Sequence, residues 1–198
     1  MAASTVTDSA FPRVKGLGFP VHSIDVETAV RHLRTVLDSE KKGRLRVVTL
    51  NPEMLMAGLH DPELGRALNG ADLVVPDGIG IVWALRRAGY PQQQRVTGVD
   101  LVETLFTERA ADGLQVFLLG GKPGVAETAK ANLERRWPSI QVVGCYHGYF
   151  SPTENEEVVR RINQARPALL LVGMGVPRQE IWLYNHWRNL MVPVGIGV

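Results

Sequence analysis

The sequence predicts an α/β protein with a doubly wound, mostly parallel sheet of the Rossmann-like type and helices on both faces. The first observation is that segments with apolar residues at helical spacing alternate with short apolar runs almost throughout the chain. The second is that the central runs, such as residues 73–75 and 168–172, are apolar at every position rather than at alternate positions. Strands of that kind are buried on both sides, and they are typical of parallel sheets covered by helices on both faces.

In the first half of the chain, Asp25 and Asn51 each precede a helical pattern and have side chains typical of a helix N-cap. Pro52 follows Asn51 at the first helical position, which proline favours, and Asp61-Pro62-Glu63 begins another helix in the same way. In chain order we expect one or two short strands within 14–21, a helix from 26, a strand at 45–50, helices at 52–59 and from 62 to about 69, a strand at 73–75 and a helix at 79–88.

In the second half, glycine and proline mark the ends of the periodic segments. Gly113 ends a helix that includes Leu101, Leu105 and Ala110, and Pro138 closes a later one. We expect, in order, that first helix, a strand at 115–119, a helix that ends at 136, a strand at 140–143, a helix from 151 to about 165, a strand at 168–172, a helix rich in Trp and Tyr, and a strand at 192–198.

The length of 198 residues predicts a single α/β domain at residues 13–198. Residues 1–12 are expected to form a disordered lead-in, because the first ten are small and polar and lack the hydrophobic core of a signal peptide. The sequence ends on an apolar strand without a polar tail. A strand seldom ends a domain in this way, and we therefore expect further residues in the natural protein.

The composition excludes several classes of protein. Hydrophobic residues make up 45% and charged residues 21%, which is ordinary for a globular domain, and the net charge of +2 argues against a nucleic-acid partner. No run of 18 apolar residues is present, so no membrane span is predicted. Cys145 is the single cysteine, which excludes an internal disulfide and fits a reducing compartment.

Four junctions between a strand and a helix carry unusual residues: 49–51, 76–78, 120–124 and 173–180. In a parallel sheet all four lie at the carboxyl edge, which is where ligands bind in this class of fold. Pro76-Asp77-Gly78 is by itself a common turn tripeptide. Together with the other three junctions, it makes Asp77 a candidate catalytic carboxylate.

The two glycine-rich junctions have features of a diphosphate cradle, since glycine lets backbone N–H groups approach a phosphate at a helix N-terminus. The residues concerned are Gly120, Gly121, Lys122, Gly173, Gly175 and Arg178. Neither junction is a G-x-G-x-x-G or Walker motif, and a glycine-rich turn alone is a weak signal. Beside them, Arg178 and Gln179 are able to reach a diphosphate or a base edge. Glu180 is as well explained by stabilisation of its own helix N-terminus as by a ligand.

Arg95 precedes another helix and is a candidate clamp for an anionic group, although a surface arginine in a polar loop fits the same pattern.

The five histidines lack metal-ligand spacing and Cys145 has no cysteine partner, so no metal site and no cofactor are predicted. The sequence lacks the G-x-S-x-G nucleophile elbow, so it does not support hydrolase chemistry. A nicotinamide-dependent oxidoreductase would need a dinucleotide fingerprint that the sequence lacks.

Five blocks in this order resemble the signature blocks of the WecG/TagA/CpsF glycosyltransferases, and they cover nearly the whole chain from Val14 to Val198. The blocks are Thr49-Leu50-Asn51-Pro52-Glu53, residues 71–80, Arg95-Val96-Thr97-Gly98-Val99-Asp100, Phe117-Leu118-Leu119-Gly120-Gly121 and residues 173–180. A single block would be weak support, but five in family order make the resemblance specific.

The resemblance implies an inverting transfer of N-acetylmannosamine from a UDP-sugar to undecaprenyl-diphosphate-linked N-acetylglucosamine, in teichoic acid, enterobacterial common antigen, capsule or exopolysaccharide synthesis. It implies that Asp77 is the catalytic base and that Thr49, Asn51, Arg95 and Gln179 bind substrate. We add Thr97 and Glu180, from the same blocks, to the binding residues. No metal and no cofactor are implied.

The resemblance also implies a cytoplasmic enzyme, peripheral at the inner face of the cell membrane. Family members continue with a Gly-Gly-x-Phe-Asp-like block and a basic C-terminal segment that reaches the membrane, whereas this sequence stops at Val198. Low glycosyltransferase activity of this chain would therefore not contradict the resemblance to this family.

Other interpretations stay open at this point. They are a UDP-glucose or UDP-sugar-acid transferase in exopolysaccharide assembly, and a non-catalytic nucleotide-sugar-binding protein. The donor sugar, the acceptor and the oligomeric state are likewise open, because the aromatic segment 182–191 is as typical of an interface between copies of the chain as of a core.

Overall fold

The computed structural model describes residues 11–14, 17–39, 43–109 and 112–198, and it confirms the α/β prediction. Six parallel strands form one sheet in the order β4-β3-β8-β7-β5-β6, and β1 and β2 form a small antiparallel pair. The strands are β1 (Arg13–Val14), β2 (Val21–His22), β3 (Leu45–Leu50), β4 (Leu73–Pro76), β5 (Gln115–Gly120), β6 (Gln141–Tyr146), β7 (Leu169–Gly173) and β8 (Val194–Gly197).

The helices follow the predicted order, and their N-caps confirm the prediction for Asp25 and Asn51, whose side chains accept hydrogen bonds from Thr28 N and Met54 N. They are α1 (Val26–Leu37), α2 (Pro52–His60), α3 (Pro62–Asn69), α4 (Ile79–Arg87), α5 (Gly98–Glu108), α6 (Val125–Arg136), α7 (Asn155–Ala165) and α8 (Arg178–His186), with a 3₁₀ turn at Pro152–Glu154 before α7.

Several elements differ from the predicted bounds: β8 begins at Val194 rather than at 192, and α7 begins at Asn155, after the 3₁₀ turn, rather than at 151. Helix α5 ends at Glu108 rather than at Gly113, and Ala110 lies outside the described residues. Strand β6 continues three residues past the predicted end, through Gly144 to Tyr146. A β-carbon on Gly144 would lie 2.6 Å from the Phe117 ring, so glycine lets β6 stay paired with β5. Such pairing depends on the neighbouring strand, and an apolar run cannot show it.

The two faces of the sheet explain why its strands are apolar at successive positions. Leu45 and Val47 of β3 point into a cluster formed with α1, α5 and α6. Val48 and Leu50 of the same strand point to the other face, where α2, α3 and α4 cover β3 and β4. Helices α7 and α8 cover β5 and β7 on that second face. Both sides of each central strand are therefore buried, as expected for a doubly wound sheet.

The short β1–β2 pair covers the edge strand β4. His22 is buried, and its Nδ1 accepts a hydrogen bond from the Val74 backbone N–H at 3.0 Å. Burial lowers the pKa of His22 to about 4, which keeps the imidazole neutral at neutral pH and able to accept this bond. The pair thus satisfies a backbone group that an open sheet edge would expose.

The predicted lead-in covers residues 1–12, of which residues 1–10 lie outside the described residues. The next two residues make contacts: the Phe11 ring packs edge-on against His32, and the Pro12 carbonyl accepts a hydrogen bond from Ser23 N at 2.9 Å. Within the described ranges, no helix is long and apolar enough to cross a membrane.

All four junctions singled out in the sequence lie at the carboxyl edge of the sheet, because its six strands are parallel. The consecutive strands β4 and β5 lie on opposite sides of β3, β8 and β7. This reversal of direction creates the crevice in which open α/β sheets bind ligands. The end of β8, at Gly197 and Val198, lies in the middle of that edge between β3 and β7.

Candidate active site

Asp77 is held by its backbone directly after β4. Its N–H donates to the Leu50 carbonyl at 2.8 Å, which ties the turn to the end of β3. Gly78 follows with φ +89°, and a β-carbon there would lie 2.9 Å from Cδ of Pro52. Only glycine combines that dihedral angle with so close an approach to α2. The turn therefore places the Asp77 side chain at a defined point of the carboxyl edge.

Arg95 lies beside Asp77 because the next residue, Val96, donates its N–H to the Pro76 carbonyl at 2.9 Å. Arg95 Nε is 3.5 Å from Asp77 Oδ1, and the two side chains are 55% and 26% exposed. Burial raises the pKa of the Asp77 carboxyl above its ordinary value, and the Asp100 carboxylate adds to the rise; Arg95 and the Gly78 N–H oppose it. The site thus contains a half-buried carboxylate of increased basicity beside a cation.

Thr49 and Asn51 stand at the end of the neighbouring strand β3. Thr49 is buried and its hydroxyl donates to the Gly197 carbonyl at 3.3 Å. The Asn51 side-chain oxygen caps α2, whereas its amide nitrogen donates to no other described residue. A β-carbon built on Gly78 would be 3.8 Å from Cβ of Asn51, which places Asn51 beside the turn that follows Asp77. The Asn51 NH₂ group is therefore available to a ligand at this turn.

Thr97 begins α5 at the same place. Its side-chain oxygen accepts a hydrogen bond from Asp100 N at 2.9 Å as the N-cap. A β-carbon on Gly98 would lie 3.4 Å from Thr49 Cγ2 and 3.5 Å from the Val198 α-carbon, so α5 starts directly above the ends of β3 and β8. The structure thus brings together five of the predicted residues: Asp77, Arg95, Thr49, Asn51 and Thr97. Their substrate-binding roles stay predictions.

The glycine-rich junctions form a second group at the ends of β5 and β7. Gly120 lies opposite Gly173 in the ladder, and the Gly121 N–H donates to the Gly173 carbonyl at 3.0 Å. Gly148, in the loop after β6, donates its N–H to the Gly121 carbonyl at 2.8 Å. Lys122 is exposed, and its side chain contacts no partner among the described residues. Of these glycines, Gly120 is required for close strand packing, because a β-carbon there would lie 2.2 Å from the Gly173 carbonyl oxygen. Phosphate binding by this group stays a prediction.

Gln179 and Glu180 lie beneath the end of β8. The Gln179 side-chain oxygen accepts from Gly175 N, and its nitrogen donates to Glu180 Oε1, both at 2.9 Å. A β-carbon on Gly197 would lie 2.9 Å from Glu180 Oε1 and 3.0 Å from Gln179 Nε2. The oxygen of the Gln179 amide therefore holds the loop after β7, and its nitrogen is bonded to the Glu180 carboxyl. A substrate contact by Gln179, which stays a prediction, would have to share these groups.

Glu180 is 3% exposed, and its Oε2 atom contacts no hydrogen-bond partner among the described residues. Burial raises the pKa of its carboxyl to about 7, although the hydrogen bond from Gln179 acts in the opposite direction. An unpaired carboxylate at this depth would be costly, so the carboxyl is expected to hold a proton below about pH 7.

Replacing Glu180 with glutamine is expected to change how stability depends on pH. An unfolded chain releases this proton near pH 4.5, and the folded protein releases it near pH 7. The wild-type free energy of unfolding therefore decreases as the pH rises between these values, by at most about 3 kcal/mol. Urea unfolding above and below this window should show that Glu180→Gln is stabilised, relative to wild type, only at the higher pH.

The matched control is Glu156→Gln, which changes an exposed glutamate of α7. This variant should follow the wild-type pH dependence. A difference between Glu180→Gln and wild type that is the same at both pH values would contradict a protonated Glu180 in the folded protein.

Arg178 points toward the loop after β6. Its Nη2 donates to the Phe150 carbonyl at 2.9 Å, and the guanidinium lies 5.2 Å from the centre of the Phe150 ring. The diphosphate role predicted for Arg178 stays a prediction, and it would require the side chain to leave these contacts.

The N-termini of three helices are open at the carboxyl edge; those of α6 and α8 adjoin the predicted glycine-rich junctions, whereas that of α4 is a feature that the sequence interpretation missed. Helices α4, α6 and α8 begin at the carboxyl edge after Gly78, Gly124 and Pro177, without a side-chain cap. In contrast, α1, α2, α3 and α5 are capped by the side chains of Asp25, Asn51, Asp61 and Thr97. Uncapped N–H groups at a helix N-terminus favour an anion. The signal was present in the sequence as glycine and proline where Ser, Thr, Asp or Asn is usual.

The two groups of residues face each other across the end of β8. Two strand spacings separate β3 from β7, a distance of roughly 10 Å. Gly197 and Val198 lie between the groups, and the sequence alone did not indicate that the last strand would be central. Among the described residues, no cluster of three or more His, Cys, Asp or Glu side chains has a geometry that could hold a metal ion.

Comparison with known proteins identifies relatives over nearly the whole chain. The family model of the glycosyl transferase WecG/TagA/CpsF family matches residues 14–198. Three similar curated proteins come from Staphylococcus aureus strains NCTC 8325 / PS 47, COL and MSSA476, and each is named N-acetylglucosaminyldiphosphoundecaprenol N-acetyl-beta-D-mannosaminyltransferase. Each is 33% identical over 187 residues, which is 94% of this chain and 72% of the relative.

Proposed function

Because the chain belongs to the WecG/TagA/CpsF glycosyltransferase family, we propose that it transfers N-acetylmannosamine from UDP-N-acetylmannosamine to polyprenyl-diphosphate-linked N-acetylglucosamine. The name of the Staphylococcus aureus relatives specifies this transferred sugar and this acceptor. Transfer occurs with inversion at the anomeric carbon. The polyprenyl acceptor lies in a membrane, so the enzyme works at the cytoplasmic face of that membrane.

The observation that carries this proposal is the half-buried Asp77 carboxylate beside Arg95, at the carboxyl edge where α4 begins without a side-chain cap. A transferase of this kind needs one base on the acceptor side and a source of positive charge on the leaving-group side. Both are within this junction. The raised pKa of Asp77 supports the role of base, because a more basic carboxylate takes a proton from a hydroxyl more readily.

In the proposed step, an acceptor hydroxyl attacks the anomeric carbon of the donor sugar from the face opposite UDP. Asp77 accepts the hydroxyl proton as the new carbon–oxygen bond forms, and the bond between the anomeric carbon and the UDP oxygen breaks. The electron pair of that bond leaves with the diphosphate of UDP. Direct displacement inverts the anomeric configuration, and one carboxylate is sufficient for it.

Negative charge increases on the diphosphate in this step, and fixed N–H dipoles at the edge are suited to stabilise it. The uncapped N-termini of α4, α6 and α8 supply such dipoles without reorganisation. Asn51 contributes a free amide NH₂ group beside the turn that follows Asp77. Arg95 contributes a guanidinium that is exposed enough to contact both Asp77 and an anionic substrate group.

Isothermal titration with UDP and with NAD is the first test, because the runner-up enzyme class on this fold uses a nicotinamide cofactor. We expect binding of UDP and none of NAD. The second test is a product assay with a panel of UDP-sugars and a short-chain lipid diphosphate that carries N-acetylglucosamine. Transfer from UDP-N-acetylmannosamine supports the proposal. Binding of UDP without transfer of any sugar by the full-length protein would favour a nucleotide-sugar-binding protein instead.

Replacing Arg95 with alanine is expected to raise KM for the donor about tenfold or more, since a charged hydrogen bond to substrate is lost. The free energy of unfolding should change by less than about 1 kcal/mol, because the ion pair with Asp77 is largely exposed. Arg95 lowers the pKa of Asp77, so the acidic limb of kcat/KM should move to higher pH in the variant. Steady-state kinetics over a pH series measure both effects.

Arg95→Lys is the matched control for charge. It should leave the acidic limb of kcat/KM close to its wild-type position, whereas KM for the donor should stay raised. A large loss of thermal stability in Arg95→Ala, with KM unchanged, would show that Arg95 has a structural role only.

A further inference from the structure

The outer side of α4 carries an apolar stripe that packs against nothing in the described structure. Ile79 is 80% exposed and Trp83, one turn later, is 61% exposed. Arg87 follows after another turn, and its guanidinium lies 5.2 Å from the centre of a Trp83 ring. We call Ile79, Trp83 and Arg87 the α4 stripe. The opposite side of the helix provides buried core residues, so both sides of α4 are apolar in its first two turns.

The position of the α4 stripe relates it to the proposed reaction. Ile79 is two residues after Asp77, so the stripe starts at the candidate catalytic turn. Val99, in the first turn of α5, is a further exposed apolar residue at the same edge of the sheet. An acceptor that approaches Asp77 from solvent therefore passes close to these side chains.

The segment that carries the stripe has charges of one sign, with the Asp77 and Asp100 carboxylates at its two ends. Residues 78–99 contain Arg86, Arg87 and Arg95 and no aspartate or glutamate. Arg86 donates to the Gln93 carbonyl at 3.0 Å, and both it and Arg87 are exposed at the end of α4. Arginines next to exposed Trp and Ile are complementary to an anionic lipid surface, where the aromatic ring lies at headgroup depth and the arginine reaches the phosphates.

We propose that the α4 stripe rests on the anionic bilayer that contains the lipid-linked acceptor. This inference depends on the proposed function in one respect, which is that the acceptor is a polyprenyl diphosphate. The polyprenyl chain stays in the bilayer while the acceptor sugar reaches Asp77. The carboxyl edge must then lie against the headgroups, and the stripe is the exposed apolar surface adjoining Asp77.

The test is vesicle flotation of the protein with phosphatidylglycerol–phosphatidylcholine vesicles, compared with vesicles of phosphatidylcholine alone. We expect preferential binding to the anionic vesicles, and the double variant Ile79→Ser/Trp83→Ser should bind them about tenfold or more weakly. Met191→Ser is the matched control, because Met191 is 77% exposed but precedes β8 at the opposite edge. This control should bind as the wild type does.

Tryptophan fluorescence gives a second readout. Trp137 and Trp182 are buried, and Trp187 is half-buried beneath Arg44 at the C-terminal end of α8, away from the carboxyl edge. A blue shift on adding anionic vesicles should therefore come from Trp83 and disappear in Trp83→Phe. The phenylalanine variant should still float with the vesicles, because its ring remains apolar. Circular dichroism and thermal melting confirm that each variant is folded.

Unchanged flotation of the folded double variant would overturn the inference. So would a wild-type dimer that the double variant dissociates without any change in vesicle binding, since a second copy would then cover the stripe. Transfer to a water-soluble short-chain acceptor should be the same in the double variant and in wild type. If the full-length protein transfers sugar to no acceptor while flotation still depends on the stripe, the proposed function fails, whereas the assignment of the stripe as a membrane-binding surface is supported.

Discussion

Asp77→Asn is expected to lower the rate of sugar transfer about 10²–10⁴-fold, which is the usual contribution of a general base. Asparagine has almost the same shape as aspartate, and the backbone contacts that hold the turn do not involve the side chain. UDP affinity and the melting temperature should therefore stay near their wild-type values. Transfer kinetics, UDP titration and thermal melting of the same preparation measure the three quantities.

The pH dependence adds a signature that a merely structural residue would not produce. Wild-type kcat/KM should fall as the pH drops through the raised pKa of Asp77, because the protonated carboxyl cannot accept another proton. The residual activity of Asp77→Asn should lack this acidic limb.

Asp100→Asn is the matched control. Asp100 is an exposed carboxylate at the start of α5, and it influences Asp77 through charge. Its replacement should leave most of the turnover and shift the acidic limb to slightly lower pH, since the Asp100 charge raises the pKa of Asp77. Near wild-type turnover in Asp77→Asn would contradict the assignment of Asp77 as the catalytic base.

Gly120→Ala is expected to cost about 3–5 kcal/mol of stability, and the melting temperature should fall by about 10 °C. Gly120 has φ +152°, a conformation that residues with a side chain rarely adopt. A β-carbon there would be 2.2 Å from the Gly173 carbonyl oxygen, and backbone on the facing strand cannot move aside as a flexible side chain can. The ends of β5 and β7 would have to separate.

Gly173→Ala is the control from the same ladder position. A β-carbon on Gly173 meets nothing closer than Val198 Cγ2 at 3.8 Å, which is an ordinary contact. Its stability should therefore change by less than about 1 kcal/mol. Equal stability losses in the two variants, measured by urea unfolding, would contradict this account of the β5–β7 junction.

Several parts of the site were predictable because they depend on residues close together in the chain. Asn51 was predicted as an N-cap, and its side chain accepts from Met54 N three residues later. The strand that ends at Pro76 and the turn through Gly78 follow from an apolar run and a turn tripeptide. Parallel strands then bring the carboxyl-edge junctions together, so the side of the sheet on which the site lies followed from the fold class.

Other parts required the tertiary structure. The approach of Arg95 to Asp77 is set by the hydrogen bond from Val96 N to the Pro76 carbonyl, 20 residues apart in the chain. Gln179 and Glu180 are polar residues of a first helical turn, and the sequence did not indicate that they are buried because β8 lies between β3 and β7 and covers them. Arg178 is predicted to bind a diphosphate, and only the tertiary structure shows that its side chain donates to the Phe150 carbonyl.

The sequence by itself determined the α/β class, the order of the elements, the helix caps and the set of junction residues, including Asp77. Those features arise from periodicity, capping and turn preferences, which act over a few residues. Only the tertiary structure decided the strand order, the central place of β8, the burial of Glu180 and the exposed α4 stripe. Each of these depends on which distant segments pack together, and local preferences do not determine that packing.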